Sequence, residues 1–153
     1  MTLKTLEKIR EAVERRPQEL AEARQKGEKV CGYFCSMIPE EIIHSLGLIP
    51  VRLGIGGDDR LVELGGRYCS TKNCVFIRES MGLMVKKENP FVKNSDIVAV
   101  AGTCSQMYRL SELIKYYCQV NTFVLGVPKN FYLPEGMEYF RREMEEFARK
   151  LQE

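Results

Sequence analysis

The sequence predicts an α/β fold: a Rossmann-like three-layer domain with a short, mostly parallel sheet of about four strands and flanking helices. Short apolar runs rich in Val and Ile alternate along the chain with longer amphipathic segments. One of these runs, DIVAVA at residues 96–101, has no polar alternation, which is typical of a strand buried on both faces of a parallel sheet. The 153 residues are enough for one domain with its own core, and no internal repeat is evident.

The first 28 residues favour helix. Leu3, Leu6, Ile9 and Val13 recur at helical spacing, and a second charged segment runs from Pro17 to about Gly27. We therefore divide the chain into an N-terminal helical segment, 1–28, that packs on the domain, and a single domain over 29–153.

The next elements alternate between strand and helix. A short strand is expected at 29–34, and a helix follows in which Ser36 caps, Pro39 occupies the first turn and Glu40 and Glu41 favour the positive end of the dipole. That helix is expected to end at Gly47. A second strand over 48–53 and a loop over 54–59 come next.

The second half of the chain continues the alternation. After a turn over 69–74 we expect a helix that carries Phe76, Met81 and Met84, then the strand at 96–101. A helix over 105–118, a strand over 122–127 and a closing helix complete the series. The closing helix carries its apolar side chains on one stripe, which contains Phe140, Met144, Phe147 and Leu151.

Composition excludes several classes of protein. The formal net charge is only +2 and no basic run is present, which argues against nucleic acid as a partner. No stretch approaches the roughly 18 apolar residues that a spanning helix needs, and the charged N-terminus is unlike a secretory leader. We expect a cytoplasmic protein without a membrane partner, in which the six cysteines stay reduced.

Three cysteines occupy positions suited to a ligand. Cys35 and Cys104 each stand where a predicted strand gives way to a helix, and Cys74 stands at the start of its helix. Ligands bind at the carboxyl edge of such sheets, and helix N-termini favour the thiolate, which is the form that binds metal. The intervals between these cysteines are too long for a local metal knuckle, so burial as small apolar side chains remains the alternative.

The other three cysteines carry a weaker signal. Cys31 falls inside a strand pattern and Cys118 at the far end of a helix, so both are interpreted as packing residues. Cys69 shares a loop with Cys74 and is either a spare ligand or an alternative to it.

Three segments of the chain resemble one known family in order and spacing. They are GYFCSMIPEEIIHSLGLIPVRL at 32–53, CVFIRESMG at 74–82 and TCSQMYRL at 103–110. These segments are similar to the 2-hydroxyacyl-CoA dehydratase D-component and benzoyl-CoA reductase subunits, and the likeness extends from about residue 30 to residue 127.

The resemblance implies an iron-sulfur component of a lyase or oxidoreductase of anaerobic metabolism. In that family the corresponding cysteines, here Cys35, Cys74 and Cys104, hold a four-iron, four-sulfur (4Fe-4S) cluster that handling in air can strip. An ATP-dependent activator protein supplies a low-potential electron, which the cluster passes to an acyl-CoA thioester. Family members are usually more than twice this long, so a homologous subunit or a second domain is the expected partner.

Several further assignments are weaker. Ser36 is a candidate catalytic contact to the substrate as well as a cap, and Arg78 and Arg109, about one turn after Cys74 and Cys104, are candidates for binding CoA phosphate or a cluster sulfide. Two alternatives stay open: a non-catalytic iron-sulfur or assembly module, and a structural zinc domain with Cys69 or His44 as fourth ligand. A second copy of this chain is also a candidate partner. The resemblance implies a dehydratase or reductase subunit that is incomplete as an enzyme by itself.

Overall fold

The computed structural model describes residues 3–54 and 56–153. One four-stranded sheet, entirely parallel, runs through this part of the chain in the order β2-β1-β3-β4. The strands are β1 (Lys29–Phe34), β2 (Leu48–Arg52), β3 (Ile97–Gly102) and β4 (Asn121–Gly126). The helices are α1 (Leu3–Gln25), α2 (Glu40–Ser45), α3 (Asp59–Gly65), α4 (Val75–Lys86), α5 (Pro90–Asn94), α6 (Ser105–Leu113) and α7 (Pro134–Gln152).

Helices cover both faces of the sheet, which confirms the three-layer prediction. On one face α1, α3, α4, α5 and α6 bury a cluster centred on Phe34, Met81 and Leu110. On the other face α2 and α7 bury a cluster that includes Tyr33 and Phe147. Every residue of β1 after the first, and of β3 after the first, is buried, as a central parallel strand requires.

Helix α1 is one continuous helix through Pro17, where the sequence indicated two segments. Paired charges four residues apart support it on both sides of the proline, as in Arg10–Glu14 at 2.8 Å and Arg15–Glu19 at 2.7 Å, and offset part of the cost of a proline in a helix. Its C-terminal half packs on the domain through buried Leu20. The apolar side chains nearer the N-terminus are exposed, namely Leu3, Leu6, Ile9 and Val13.

Helix α2 begins four residues later than the expected cap at Ser36. Pro39 occupies the N-cap position, no side chain caps the helix, and the expectation that Ser36 does so is wrong. The physical reason is the backbone of Cys35, whose φ of 78° turns the chain sharply after β1, so that residues 36 and 37 form a turn before the helix starts.

Two short helices were not predicted. Asp58 caps α3 by accepting a hydrogen bond from the backbone of Arg60, and Asn89 caps α5 by accepting from Phe91 and Val92. Helix α6 also ends earlier than predicted, and residues 114–118 continue it as a π-helical segment.

Helices α3 and α4 touch through glycine. A Cβ added at Gly65 would lie 1.7 Å from the backbone oxygen of Arg78, and one added at Gly82 would lie 2.0 Å from that of Leu61. Only glycine permits backbones to approach so closely. This contact fixes the position of α4, which carries Cys74 at its start. In the described part of the chain, no helix combines the length and the apolar content that crossing a membrane requires.

Candidate metal centre

Cys35 lies directly after β1, at the carboxyl edge of the sheet. It is half-buried between the two apolar clusters, and its sulfur is 3.9 Å from the hydroxyl oxygen of Thr103, which follows β3. Its φ of 78° is costly for a residue with a side chain, by about 1–2 kcal/mol. Strain of this kind at the end of a strand is a frequent mark of a functional position.

Cys104 stands one residue beyond Thr103 and forms the N-cap of α6. Strands β1 and β3 are neighbours, with Phe34 paired with Val100, so the segments that follow them emerge side by side. The thiol of Cys104 is exposed and makes no capping hydrogen bond. The structure thus brings the Cys35 and Cys104 segments together.

Cys74 reaches the same edge by a different route, as the N-cap of α4. It is also exposed and makes no capping bond. Two residues further on, the ring of Phe76 packs edge-on against Phe34, with ring centroids 6.4 Å apart. Because Phe34 is the last residue of β1, this contact places the start of α4 beside the end of that strand.

The three thiols share an edge of the sheet but do not form a preassembled ligand set. Among residues 3–54 and 56–153, no three His, Cys, Asp or Glu side chains are grouped closely enough to hold a metal ion. The donor chemistry nevertheless fits a cluster, because all three cysteines are free and two stand at helix N-termini. Metal binding commonly completes the folding of the segments that carry its ligands.

Three buried polar atoms without partners belong to residues near Cys74 and Cys104 in the sequence. Within the described residues, three buried side-chain atoms have no hydrogen-bond partner: Asn73 Nδ2, Arg78 Nε and Gln106 Oε1. The first two flank Cys74 and the third follows Cys104 by two residues. Buried polar groups are almost always satisfied, so unpaired atoms on the segments that carry Cys74 and Cys104 are what a polar group bound by those segments would explain.

The remaining cysteines have other uses. Cys31 and Cys118 are buried, as expected of packing residues. Burial raises the pKa of the Cys31 thiol to about 12 and also raises the pKa of Cys118, so neither forms a thiolate readily. Cys69, considered as a spare ligand, donates its S–H to the carbonyl oxygen of Gly65 at 3.3 Å.

A cleft of about 690 Å³ opens between α2 and α7 and begins at Ser36, the residue after Cys35. Ser36 lines it, together with Glu40, Glu41 and Met144. His44 lies on α2 and is an exposed residue at the wall of this cleft, on a different element from the three cysteines. The structure therefore gives Ser36 access to a ligand-sized space.

Sequence patterns did not indicate a role for the hydroxyl of Tyr33, which donates a hydrogen bond to the Glu40 carboxylate at one end of this cleft. Burial and the neighbouring carboxylate raise the pKa of Tyr33 to about 12. Asn73, Thr103 and Gln106 were also missed. Their only signal in the sequence was their position next to a candidate cysteine.

Comparison with known proteins identifies the family of the chain. The model of the family described as 2-hydroxyglutaryl-CoA dehydratase, D-component, matches residues 35–153 and thus begins at Cys35. The chain is also similar to the C subunit of benzoyl-CoA reductase from Thauera aromatica, at 30% identity over 127 residues, which is 81% of this chain and 32% of that protein. It therefore spans about a third of the length of this relative. By the family match over most of its length, the chain belongs to the 2-hydroxyglutaryl-CoA dehydratase D-component family.

Proposed function

We propose that this chain holds a 4Fe-4S cluster through Cys35, Cys74 and Cys104 and serves in low-potential electron transfer to an acyl-CoA thioester. The family assignment supports an enzyme subunit of the dehydratase or benzoyl-CoA reductase type. We propose the cluster, its three cysteine ligands and the electron-transfer reaction for this chain on the basis of its own residues and this family assignment.

One observation carries this function: three free cysteines, distant in sequence, lie at the same edge of the sheet. Parallel α/β sheets bind ligands at this edge. The buried polar atoms of Asn73, Arg78 and Gln106 provide a second line of support, because they lack partners and belong to residues within four positions of Cys74 or Cys104.

When bound, such a cluster supplies one-electron chemistry at low potential. The residues of the chain would contribute the surroundings. Phe34 is buried, and the partly exposed ring of Phe76 packs edge-on against it, which gives the end of β1 and the start of α4 an apolar surface. The φ of 78° at Cys35 turns the backbone sharply where β1 ends.

The cleft that begins at Ser36 is the proposed place for the acyl part of the substrate. Ser36 is next to Cys35 and lines the cleft, where its hydroxyl can donate a hydrogen bond to a thioester or hydroxyl oxygen. The hydrogen bond between Tyr33 and Glu40 holds one wall of the cleft in place. A homologous subunit or second domain and an ATP-dependent activator protein are the proposed partners, in the cytoplasm.

Anaerobic reconstitution with iron and sulfide tests this function. The wild-type chain should become brown, with broad absorbance near 400 nm and about four irons and four sulfides per chain. Cys35→Ser, Cys74→Ser and Cys104→Ser should each lose most of the iron. Cys69→Ser is the matched control, because its thiol already bonds Gly65, and it should retain the cluster.

A colourless chain that takes up only zinc would contradict the proposal, as would equal iron content in all four variants. A clear result in this assay does not depend on the identity of the acyl-CoA.

A further inference from the structure

We propose that Arg78 is a positioning residue whose Nε–H donates a hydrogen bond to the anionic group held by the three cysteines and raises its reduction potential. This inference rests on the proposed function and adds a named residue that tunes the group.

Arg78 is tied to the ligand segment by the helix itself. Its backbone N–H donates to the carbonyl oxygen of Cys74 at 3.2 Å, so the two residues lie one helical turn apart on α4. The contact of Gly65 and Gly82 across the α3–α4 pair prevents this turn from moving away. Residues four apart lie on the same side of a helix and side chains lean toward its N-terminus, so we infer that the Arg78 side chain extends toward a group bound by Cys74.

The state of the Arg78 side chain differs from that of most other arginines in the chain. Arg141 and Arg149, for example, each pair with carboxylates on the surface of α7. The Nε of Arg78 is buried, and among the described residues no acceptor lies within hydrogen-bonding distance of it. Leaving a buried donor of a charged group unpaired is costly, and more so than for a neutral donor.

Two amides accompany this donor. Asn73 Nδ2 and Gln106 Oε1 are the other buried side-chain atoms without partners in the described residues. Because the oxygen and nitrogen of an amide are nearly indistinguishable by shape, a half-turn of the Gln106 amide exchanges its Oε1 for its NH₂ group. Three donors on the segments that carry Cys74 and Cys104 suit an acceptor with several anionic sulfur atoms.

Arg109 provides a contrast within the same chain. It lies about one turn after Cys104, much as Arg78 lies after Cys74, but it is exposed to solvent. The sequence alone made these two arginines equivalent candidates, and burial separates them. A charge in water is strongly screened, whereas the guanidinium of Arg78, whose Nε is buried, is screened less.

The direction of the effect follows from charge. Reduction of a thiolate-ligated cluster adds one negative charge, and a buried hydrogen-bond donor from a cation stabilises the reduced form more than the oxidised form. Removal of Arg78 should therefore make reduction harder and lower the potential.

The test is an anaerobic redox titration, followed by electron paramagnetic resonance, of the reconstituted full chain. Arg78→Met should weaken the affinity for the electron at least tenfold, which is a fall of 59 mV for a one-electron couple. Arg78→Lys keeps the charge but loses Nε and should show a two- to tenfold effect. Arg109→Met, which removes the same charge from an exposed site, should change the affinity less than twofold.

The outcomes separate the two proposals. A wild-type chain that holds no cluster contradicts the proposed function, and the role of Arg78 with it. If the wild-type chain holds a cluster, and the reduction potentials of Arg78→Met and Arg78→Lys both equal that of wild type, only the role of Arg78 is overturned. If Arg78→Met does not fold by circular dichroism, Arg78→Lys decides, since a potential equal to that of wild type in this variant contradicts the hydrogen bond.

Discussion

The strained backbone at Cys35 predicts that a glycine variant is more stable than an alanine variant at this position, the reverse of the usual order of stability. We consider Cys35→Gly and Cys35→Ala in the metal-free chain. With φ at 78°, an L side chain costs about 1–2 kcal/mol, and glycine relieves that cost. Glycine also gains freedom in the unfolded chain, which offsets about 0.4–1 kcal/mol of the relief. Glycine also lacks the half-buried methyl group that alanine keeps, which offsets about 0.4 kcal/mol more, so the glycine variant should be more stable than the alanine variant by about 0.5 kcal/mol.

Equilibrium unfolding in urea measures this difference, with m-values compared to confirm that both variants unfold in the same way. Cys31 supplies the matched control, since it lies within β1 and is fully buried. There the alanine variant should be more stable than the glycine variant by about 1–2 kcal/mol. Glycine lacks the buried methyl group of alanine, and its unfolded chain has more conformational freedom to lose on folding. If alanine is the more stable residue at both positions, the strain assigned to Cys35 is refuted.

Further predictions concern packing, pH and the attachment of α1. Gly82→Ala should lower the free energy of unfolding in urea by about 2–3 kcal/mol, because its Cβ would meet the Leu61 carbonyl oxygen at 2.0 Å. The control Gly66→Ala, where the nearest atom is 3.2 Å away, should lower it by less than about 1 kcal/mol. Equal losses in the two variants would contradict the contact between α3 and α4. The pKa of Cys31 is raised from 9.0 to about 12, so stability should fall as pH rises between these values, and Cys31→Ala should lessen that fall. Arg24→Met should cost about 1 kcal/mol by removing the 2.7 Å pair with Asp96, and protection of α1 amides in hydrogen exchange should fall with it.

The succession of strands and helices along the chain and the three-layer arrangement were predictable because they depend on periodicity. The apolar run before Gly102 indicates a buried strand in any context, and the stripe of α7 requires a partner face. Short helices were missed because they depend on single caps. In the sequence Asp58 and Asn89 do not differ from other polar loop residues. The structure identifies them as caps, because they accept hydrogen bonds from the backbone N–H groups of Arg60 and Phe91.

The candidate site was predictable only in part. Topology explains why Cys35 and Cys104 share an edge, since they follow neighbouring parallel strands. The position of Cys74 depends on the packing of Phe76 against Phe34, and the difference between Arg78 and Arg109 depends on burial. Neither property is encoded in local spacing. The failed assignment of Ser36 as a cap has the same origin, because no propensity scale anticipates a positive φ at a cysteine.

The most direct measurement for the account is an anomalous difference map, recorded at the iron absorption edge, from crystals of the anaerobically reconstituted chain. We predict one compact iron peak at the carboxyl edge of the sheet, within bonding distance of the sulfur atoms of Cys35, Cys74 and Cys104. Iron bound at Cys69 or His44, or iron at separate sites with only one of the three thiols at each, would contradict it.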